Sequence, residues 1–550
     1  MNRYSKILTQ SKKNGAAQAM LYALPNINKE TITRPHIGIG SMWYESNPCN
    51  CNLDKIASFV KSSITDSNLV GFKFATPGVS DGQSMGTPGM RYSLLSRDWI
   101  SDNIEMITNA HYYDGLILIP GCDKNLPGSF MGLCKVNRPG FLMYGGSMPS
   151  SNYNGQKLDI VSAFESYGKY ISNEIDDDAR ENIIQNSCSK KCGSCSGLYT
   201  ANTMASLIEV MGMSLPNTST NPSDLKMKES ASAGKIMYNL LKEDLKPSDI
   251  LTKKSFINGI KLLNIMGGST NGVIHLLAMA KSANIDLTLH DFVEYQNLPV
   301  LTNMKPHGEY VMNDLYKNGF NMGNIINYLI EENILDGECM TITGKKLKDN
   351  YINLNYDIKL FNNIIKPINK PFKKTSHIRI LKGNLAPDGC VSKIYCEENN
   401  YSGKVIVFDT EEDMIDALKD DLITKNHFVV IRYQGETTGC PEMLSPTSAL
   451  VGYFGYENVP PLATDGRFSG GSRGILIAHL PDAYKGNITS ILKNNDIIKI
   501  DIEKNLIEIN ISEENINERL KLYNKQKFES KGILNKYSRL TSGLEYGYSC

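Results

Sequence analysis

One stretch of the chain, residues 115–132, most constrains the fold. It reads G-L-I-L-I-P-G-C-D-K-N-L-P-G-S-F-M-G, so an apolar run stops at Pro-Gly and is followed by Cys122, Asp123 and Lys124. The pattern predicts a buried strand, a loop and then a helix. Ligands of open α/β sheets bind beyond the carboxyl ends of such strands. A thiol, a carboxylate and an amine at this position can bind an iron–sulfur cluster and a cation that prefers oxygen ligands. The alternative is that they are a structural cysteine, a turn aspartate and a solvated lysine.

The rest of the chain alternates strands and helices before it becomes β-rich. Residues 35–42, 72–76 and 141–144 read as short strands with helices between them, which predicts parallel βαβ units. A chain of 550 residues is too long for one ordinary core. The loose Asn/Lys/Pro-rich stretch 351–375 predicts a domain boundary, and we assign residues 1–365 and 366–550 to the two domains. Later strands are predicted at residues 405–408, 428–433, 497–502 and 506–511, the last two as a hairpin.

Composition excludes several functional classes. Lys+Arg and Asp+Glu both number 58, so no global basic field favours nucleic acid or an anionic membrane as partner. No run approaches the roughly 20 apolar residues that span a bilayer. Twelve cysteines in this length imply no disulfide scaffold and favour a reducing, cytoplasmic location. Residues 1–14 lack the apolar core of a secretory signal, and an organelle transit peptide is the less favoured alternative.

Several other loops carry reactive side chains: Cys49 with Cys51, Asp81, Cys188 with Cys192 and Cys195, and Ser469. Taken alone, each has a plainer interpretation. Asp81 among glycines is typical of an Asx-turn, and the small residues around Ser469 are typical of a phosphate-binding turn or hairpin. The C-G-S-C motif suits a redox pair or half of a zinc site, but no second pair follows at a suitable spacing.

Together these motifs resemble the dihydroxy-acid dehydratase family, which is related to phosphogluconate and sugar-acid dehydratases. The matching blocks are P-C-N at 48–50, S-D-G-x-S-M-G at 80–86, C-D-K-N-L-P-G at 122–128, C-G-S-C-S-G-x-Y-T-A-N-T-M at 192–204, K-P-x-G-x-Y-V-M at 305–312, G-N-L-A-P-D-G at 383–389, P-E-M-L-S-P-T-S-A at 441–449 and T-D-G-R-F-S-G-G at 464–471. They follow in order along nearly the whole chain.

The resemblance implies a role for each of eight residues. Cys49, Cys122 and Cys195 match iron–sulfur ligands, Asp81, Asp123 and Glu442 match magnesium ligands, Lys124 matches a carbamylated lysine ligand, and Ser469 matches the catalytic base. The implied cofactors are a [2Fe–2S] cluster, with [4Fe–4S] less favoured, and Mg²⁺. Cys51 and Cys192 lie close enough in sequence to compete as ligands. Residues 435–441 also form a shorter segment than the family's usual glycine-rich loop.

The resemblance further implies an α/β fold with two domains. A doubly wound, mainly parallel sheet forms the N-terminal domain, and a smaller β-rich, barrel-like C-terminal domain supplies Glu442 and Ser469 across a cleft. The family is typically dimeric, so a homodimer is expected, and residues 532–550 are expected to pack on the first domain or on a partner.

The implied activity is a dehydratase of valine and isoleucine biosynthesis that converts 2,3-dihydroxy-3-methyl-branched acids to 2-oxo acids. Hydroxide is a poor leaving group, and a cluster with only three thiolate ligands keeps an open Lewis-acid position for it. Mg²⁺ suits the carboxylate and enolate oxygens, and a serine takes the C2 proton. The alternatives are a sugar-acid (aldonate) dehydratase and a non-catalytic iron–sulfur electron carrier or sensor.

Overall fold

The computed structural model describes residues 1–352, 354, 363–395 and 400–550, so part of the predicted boundary stretch 351–375 lies outside the described residues. The strands of the first part are β1 (His36–Ser41), β2 (Val70–Ala75), β3 (Gly115–Ile119), β4 (Gly140–Leu142), β5 (Ser151–Tyr153) and β6 (Gln156–Leu158). Its helices are α1 (Lys6–Thr9), α2 (Gly15–Tyr22), α3 (Leu53–Asp66), α4 (Asp81–Ser84), α5 (Ser93–His111), α6 (Asn125–Val136), α7 (Ile160–Ile171), α8 (Asp177–Asn186), α9 (Thr200–Val210), α10 (Lys226–Glu229), α11 (Ala233–Glu243), α12 (Pro247–Ile250), α13 (Lys253–Met266), α14 (Asn271–Ser282), α15 (Leu289–Tyr295), α16 (Met312–Lys317) and α17 (Met322–Glu331).

The second part begins with strand β7 after the boundary stretch. Its strands are β7 (Ile378–Gly383), β8 (Ala386–Ile394), β9 (Asn400–Phe408), β10 (His427–Ile431), β11 (Glu442–Met443), β12 (Leu462–Thr464), β13 (Arg467–Phe468), β14 (Ile475–Ala478), β15 (Ile497–Asp501) and β16 (Leu506–Ile509). Its helices are α18 (Glu411–Lys419), α19 (Ser445–Phe454), α20 (Glu513–Leu522) and α21 (Gly532–Leu540).

The predicted parallel sheet is confirmed. Its strands lie in the order β2-β1-β3-β4, and every neighbouring pair is parallel. All residues of β3 are buried, as expected for a strand covered on both faces. The connection from β1 to β2 through α3 runs one way across the sheet, and the connections from β2 to β3 through α5 and from β3 to β4 through α6 run the other way. Because such crossovers are right-handed as a rule, α3 is expected on one face and α5 and α6 on the other, as in a doubly wound sheet. The strand order therefore reverses between β1 and β3, whose last residues Ser41 and Ile119 are paired.

The predicted β-rich second part is a closed barrel in the strand order β10-β12-β14-β8-β7-β16-β15-β9. Alternation along β10 explains why this strand is apolar throughout. Phe428 and Val430 pack in the cluster formed by the barrel strands, whereas Val429 and Ile431 pack in the cluster that includes residues of α18 and α19. The hairpin predicted near residue 503 is also confirmed, because β15 and β16 pair antiparallel.

The two parts meet along a helix pair and through the C-terminal segment. Helices α7 and α19 approach so closely that a Cβ added to Gly168 would lie 2.2 Å from the carbonyl oxygen of Ala449. The segment after α21 returns to α5, where Arg97 donates to the Tyr548 carbonyl at 3.0 Å and the Cys550 N–H donates to Asp98 at 3.1 Å. Every helix among the described residues is too short or too polar to cross a membrane.

We predict that Gly168→Ala destabilises the protein by about 1–3 kcal/mol, because the new methyl group would overlap backbone that cannot retreat. Helix propensity alone predicts the opposite sign, with alanine favoured by about 1 kcal/mol. Thermal unfolding of the purified variants measures the effect. Gly15→Ala in α2 is the matched control, because an added Cβ there meets no atom within 4 Å. Equal or higher stability of Gly168→Ala would contradict the close helix packing.

Candidate active site

Three cysteines from three separate loops line one cavity of about 200 Å³. Cys49 follows β1, Cys122 follows β3, and Cys195 precedes α9. Hydrogen bonds with Cys122 and Cys195 raise the pKa of the Cys49 thiol well above its ordinary value. Gly121 lets the loop of Cys122 lie close to the loop of Cys49, because a Cβ on Gly121 would lie 2.4 Å from the Cys49 carbonyl oxygen. Three converging thiols are a donor set that fits a cluster held by three thiolates.

Cys51 and Cys192, the two alternative ligands, form a disulfide with each other across a sequence separation of 141 residues. This disulfide joins the loop of Cys49 to the loop of Cys195. With their sulfurs bonded together, Cys51 and Cys192 have no thiol to offer a metal, whereas Cys49, Cys122 and Cys195 are free. The geometry thus removes Cys51 and Cys192 as competitors and leaves the three predicted ligands free, together with Cys188 in the loop of Cys195.

A group of carboxylates lies beside the cysteines. Asp81, Asp123 and Glu442 each offer one ligand oxygen, and these oxygens lie within 4.8 Å of one another. Asp81 and Asp123 line the same cavity as the three thiols. Oε1 of Glu442 is buried without a hydrogen-bond partner among the described residues. Converging hard oxygens, one of them without a partner, are a donor set that fits a divalent cation.

Lys124 lies at the centre of these carboxylates and is fully buried. Its Nζ lies 2.6 Å from Asp81, 2.8 Å from Glu442 and 3.8 Å from Asp123. Burial and Arg467 act to lower the pKa of Lys124, but the three carboxylates outweigh them and raise it. Burial also raises the pKa of Asp123 to about 7. Burial acts in the same direction on Glu442, yet the cations Lys124 and Arg467 prevail and lower its pKa.

A two-stranded ladder brings Glu442 and Ser469 to this site from the second part of the chain. Strands β11 and β13 pair so that Glu442 faces Arg467, whose guanidinium bonds the carboxylate and also donates to the Cys440 carbonyl at 2.7 Å. The Ser469 N–H then donates to the Met443 carbonyl at 3.0 Å. Ser469 lines the cavity, and its Oγ accepts a hydrogen bond from the Gly471 N–H at 3.3 Å.

The remaining wall of the cavity is apolar. It is formed mainly by Met85, Met148, Ile160, Val161, Phe164 and Leu444. The cavity therefore has a polar end, with thiols, carboxylates and a hydroxyl, and an end without strong hydrogen-bonding groups. Such a shape fits a small molecule that is polar at one side and alkyl at the other.

Sequence reasoning missed a polar network behind this wall. Tyr199 lines the cavity and its hydroxyl donates to Asp159 at 3.0 Å, and Lys305 donates to the same carboxylate oxygen at 2.8 Å. Asp159 also caps α7 by accepting from the Val161 N–H at 2.9 Å. Burial raises the pKa of Tyr199 well above its usual value, so the phenol stays protonated. Tyr199 and Lys305 fall inside quoted motifs, which is the only sequence signal that marks them.

The structure therefore brings all eight predicted site residues to one region. The cavity is lined directly by Cys49, Cys122, Cys195, Asp81, Asp123 and Ser469. Lys124 and Glu442 lie behind it, ion-paired with each other. Cys188, for which sequence analysis assigned no role, also lines the cavity.

Comparison with known proteins identifies the family of the chain. Residues 34–350 match the sequence model described as dihydroxy-acid/6-phosphogluconate dehydratase N-terminal, and residues 363–548 match the corresponding C-terminal model. A dihydroxy-acid dehydratase of Francisella tularensis subsp. novicida is 46% identical over 555 residues, which cover 100% of this chain and 98% of that protein.

Similar relatives occur in other organisms. The chloroplastic dihydroxy-acid dehydratase of Arabidopsis thaliana is 45% identical over 98% of this chain and 89% of that protein. A dihydroxy-acid dehydratase of Flavobacterium psychrophilum is 44% identical over 100% of this chain and 99% of that protein. With both models matched and such relatives aligned over nearly its whole length, the chain belongs to the dihydroxy-acid/6-phosphogluconate dehydratase family.

Proposed function

We propose that this protein is a dihydroxy-acid dehydratase of valine and isoleucine biosynthesis. Its substrates would be 2,3-dihydroxy-3-methylbutanoate and the methylpentanoate homologue, and its products the 2-oxo acids. The observation that carries the proposal is the single cavity that holds three thiols, a carboxylate group, a serine hydroxyl and an apolar wall. The names of the relatives, which are dihydroxy-acid dehydratases, support the same reading.

Two donor sets support the proposed cofactors. Cys49, Cys122 and Cys195 would hold a [2Fe–2S] cluster, and Asp81, Asp123 and Glu442 would hold Mg²⁺ with a carbamylated Lys124 as a further ligand. When bound, these groups supply Lewis acidity at the departing hydroxide and positive charge beside the developing enolate.

The side chains of the protein divide the remaining work. Ser469 Oγ takes the proton from C2, and the Gly471 N–H that donates to this oxygen stabilises negative charge on it. Burial alone would raise the pKa of the hydroxyl, so Ser469 acts as a base only with positive charge nearby. The apolar wall holds the alkyl branch and excludes water from the reacting carbons.

The apolar wall favours branched acids over the sugar-acid alternative. A sugar acid would place hydroxyl groups against Ile160, Val161, Phe164 and Leu444, whose side chains have no hydrogen-bonding atoms. Burying a hydroxyl without a partner costs about 1–3 kcal/mol, whereas an alkyl branch gains from the same contact. The electron-carrier alternative gives no role to Ser469 or to the carboxylate group.

We also propose the domain boundary at residues 365/366 and a cytoplasmic homodimer. The barrel strands all follow this boundary, starting with β7 at Ile378. Among the described residues nine cysteines are free and two form the Cys51–Cys192 disulfide, and this excess of free thiols suits a reducing compartment. The homodimer is a prediction from the family resemblance, and light scattering coupled to size-exclusion chromatography would measure it.

We predict that Ser469→Ala lowers kcat for 2,3-dihydroxy-3-methylbutanoate by about 10²–10⁴-fold, the usual contribution of a general base. Anaerobically purified protein should keep its iron and sulfide content and visible spectrum, because the cysteines are untouched. Ser402→Ala, an exposed serine on β9, is the matched control and should leave turnover unchanged. Unchanged turnover in Ser469→Ala would remove this residue as the base. Wild-type turnover of gluconate alone would instead favour the sugar-acid alternative.

We predict that Mg²⁺ binds at least about tenfold more tightly when CO₂ or bicarbonate is supplied. The Lys124 ammonium loses one proton to become an amine, and the addition of CO₂ to this amine releases a second proton. Carbamylation therefore removes a competing cation and adds an oxygen ligand. Calorimetric Mg²⁺ titrations in CO₂-depleted and bicarbonate-containing buffer measure the difference. Lys124→Met should abolish the response to CO₂.

The matched control for this titration is Lys226→Met. Lys226 is equally buried but pairs with Glu229 away from the carboxylate group. This variant should keep the CO₂ response. A wild-type protein whose Mg²⁺ affinity ignores CO₂ would count against the carbamate.

A further inference from the structure

Lys393 is a buried lysine that the proposed mechanism does not use. It lies on β8 with 1% of its surface exposed. Its Nζ donates to the carbonyl oxygens of Gly470 at 3.3 Å and Ser472 at 3.1 Å. These carbonyls lie on either side of Gly471, in the loop that carries Ser469. Lys393 therefore fastens this loop to the barrel wall.

The contact with Gly470 has an electrostatic consequence for Ser469. The Gly470 carbonyl and the Gly471 N–H belong to the same peptide group, and this N–H donates to Ser469 Oγ at 3.3 Å. A cation that bonds one end of a peptide group polarises it, so the N–H at the other end becomes a stronger donor. Lys393 thus acts on the Ser469 oxygen through one peptide group.

The surroundings of Lys393 offer no simpler structural explanation. Among the residues that the structure describes, its ammonium forms no ion pair with a carboxylate. The titratable groups that interact with it are Arg473, His307 and His377, and burial holds both histidines neutral. Burial and Arg473 together lower the pKa of Lys393 to about 7. An unpaired buried cation is costly, and such groups concentrate at functional sites.

We propose that Lys393 is a positioning residue for Ser469, which holds the Gly470–Ser472 carbonyls and strengthens the Gly471 hydrogen bond to the serine oxygen. The role of Ser469 as the base rests on the proposed function. The fastening of the loop does not.

The test compares wild type, Lys393→Met and the control Lys382→Met, an exposed lysine on the neighbouring strand β7. Lys393→Met should lower kcat by roughly 10- to 100-fold, the effect of one charge-assisted hydrogen bond, with KM changed less than about threefold. The ratio of wild-type to variant kcat should be largest below pH 7. This ratio should fall toward one above pH 7, because the ammonium loses its charge as the pH rises through the pKa of Lys393. Unchanged kcat, or a ratio independent of pH, would overturn the proposal.

A second variant, Lys393→Arg, tests the proposal even if Lys393→Met does not fold. Lys393→Arg keeps a cation that stays charged above pH 7. The kcat of this variant should therefore not fall above pH 7 through loss of charge at position 393. If Lys393→Met does not fold, a pH profile of Lys393→Arg identical to that of wild type would overturn the proposal.

Hydrogen exchange separates this inference from the proposed function. In Lys393→Met the peptide covering residues 466–474 should exchange faster than in wild type, and in Lys382→Met it should not. An unchanged exchange rate would overturn the fastening role. If wild-type protein dehydrates no acid, the proposed function fails, and the exchange result still decides whether Lys393 holds the loop.

Discussion

The ammonium of Lys124, buried between Asp81 and Glu442, joins the two parts of the chain at their most polar point. Removing any one of these charges would leave another uncompensated in a dry interior. The arrangement also suits an exchange of ions. Converting the ammonium to a carbamate takes away two positive charges, and a divalent cation restores both. The net charge of the buried group is then the same in the metal-free and the proposed loaded protein, so the surrounding fold need not change.

The strands of the parallel sheet could be predicted from local sequence patterns, because the same apolar runs are buried in the folded protein. The apolar run before Pro120 is β3, and the loops after β1 and β3 meet because the strand order reverses between them. The sequence predicted these strands but not their order, so only the family resemblance implied that Cys49 and Cys122 share a cofactor. The barrel was harder, because β10 is apolar on both faces and its closure depends on distant pairings. Only the family resemblance implied that the second part supplies Glu442 and Ser469.

Other parts of the site depend on contacts that no local pattern encodes. The Cys51–Cys192 disulfide joins residues 141 positions apart. From the sequence alone, both residues were therefore expected to be free thiols that could replace Cys49 or Cys195 as metal ligands. Lys393 is a strand residue of β8 that nothing in the local sequence marks, and only the pairing of distant barrel strands brings it to the Ser469 loop. Asp159 resembles an ordinary helix cap until the chain folds Lys305 against it. In each case the residue type is visible in the sequence, but its partner is set by tertiary packing.

A serine base demands more of this site than a carboxylate base would. Burial raises the pKa of a hydroxyl, so each apolar residue that excludes water from the cavity also opposes deprotonation of Ser469. Only positive potential can reverse this effect, and the described residues supply some of it through the Gly471 N–H and the guanidinium of Arg467, which lies two positions before the serine. Much of that guanidinium charge is already committed to Glu442. The dry wall that selects an alkyl substrate therefore makes the cations that the carboxylates attract a requirement, because without them Ser469 would stay protonated.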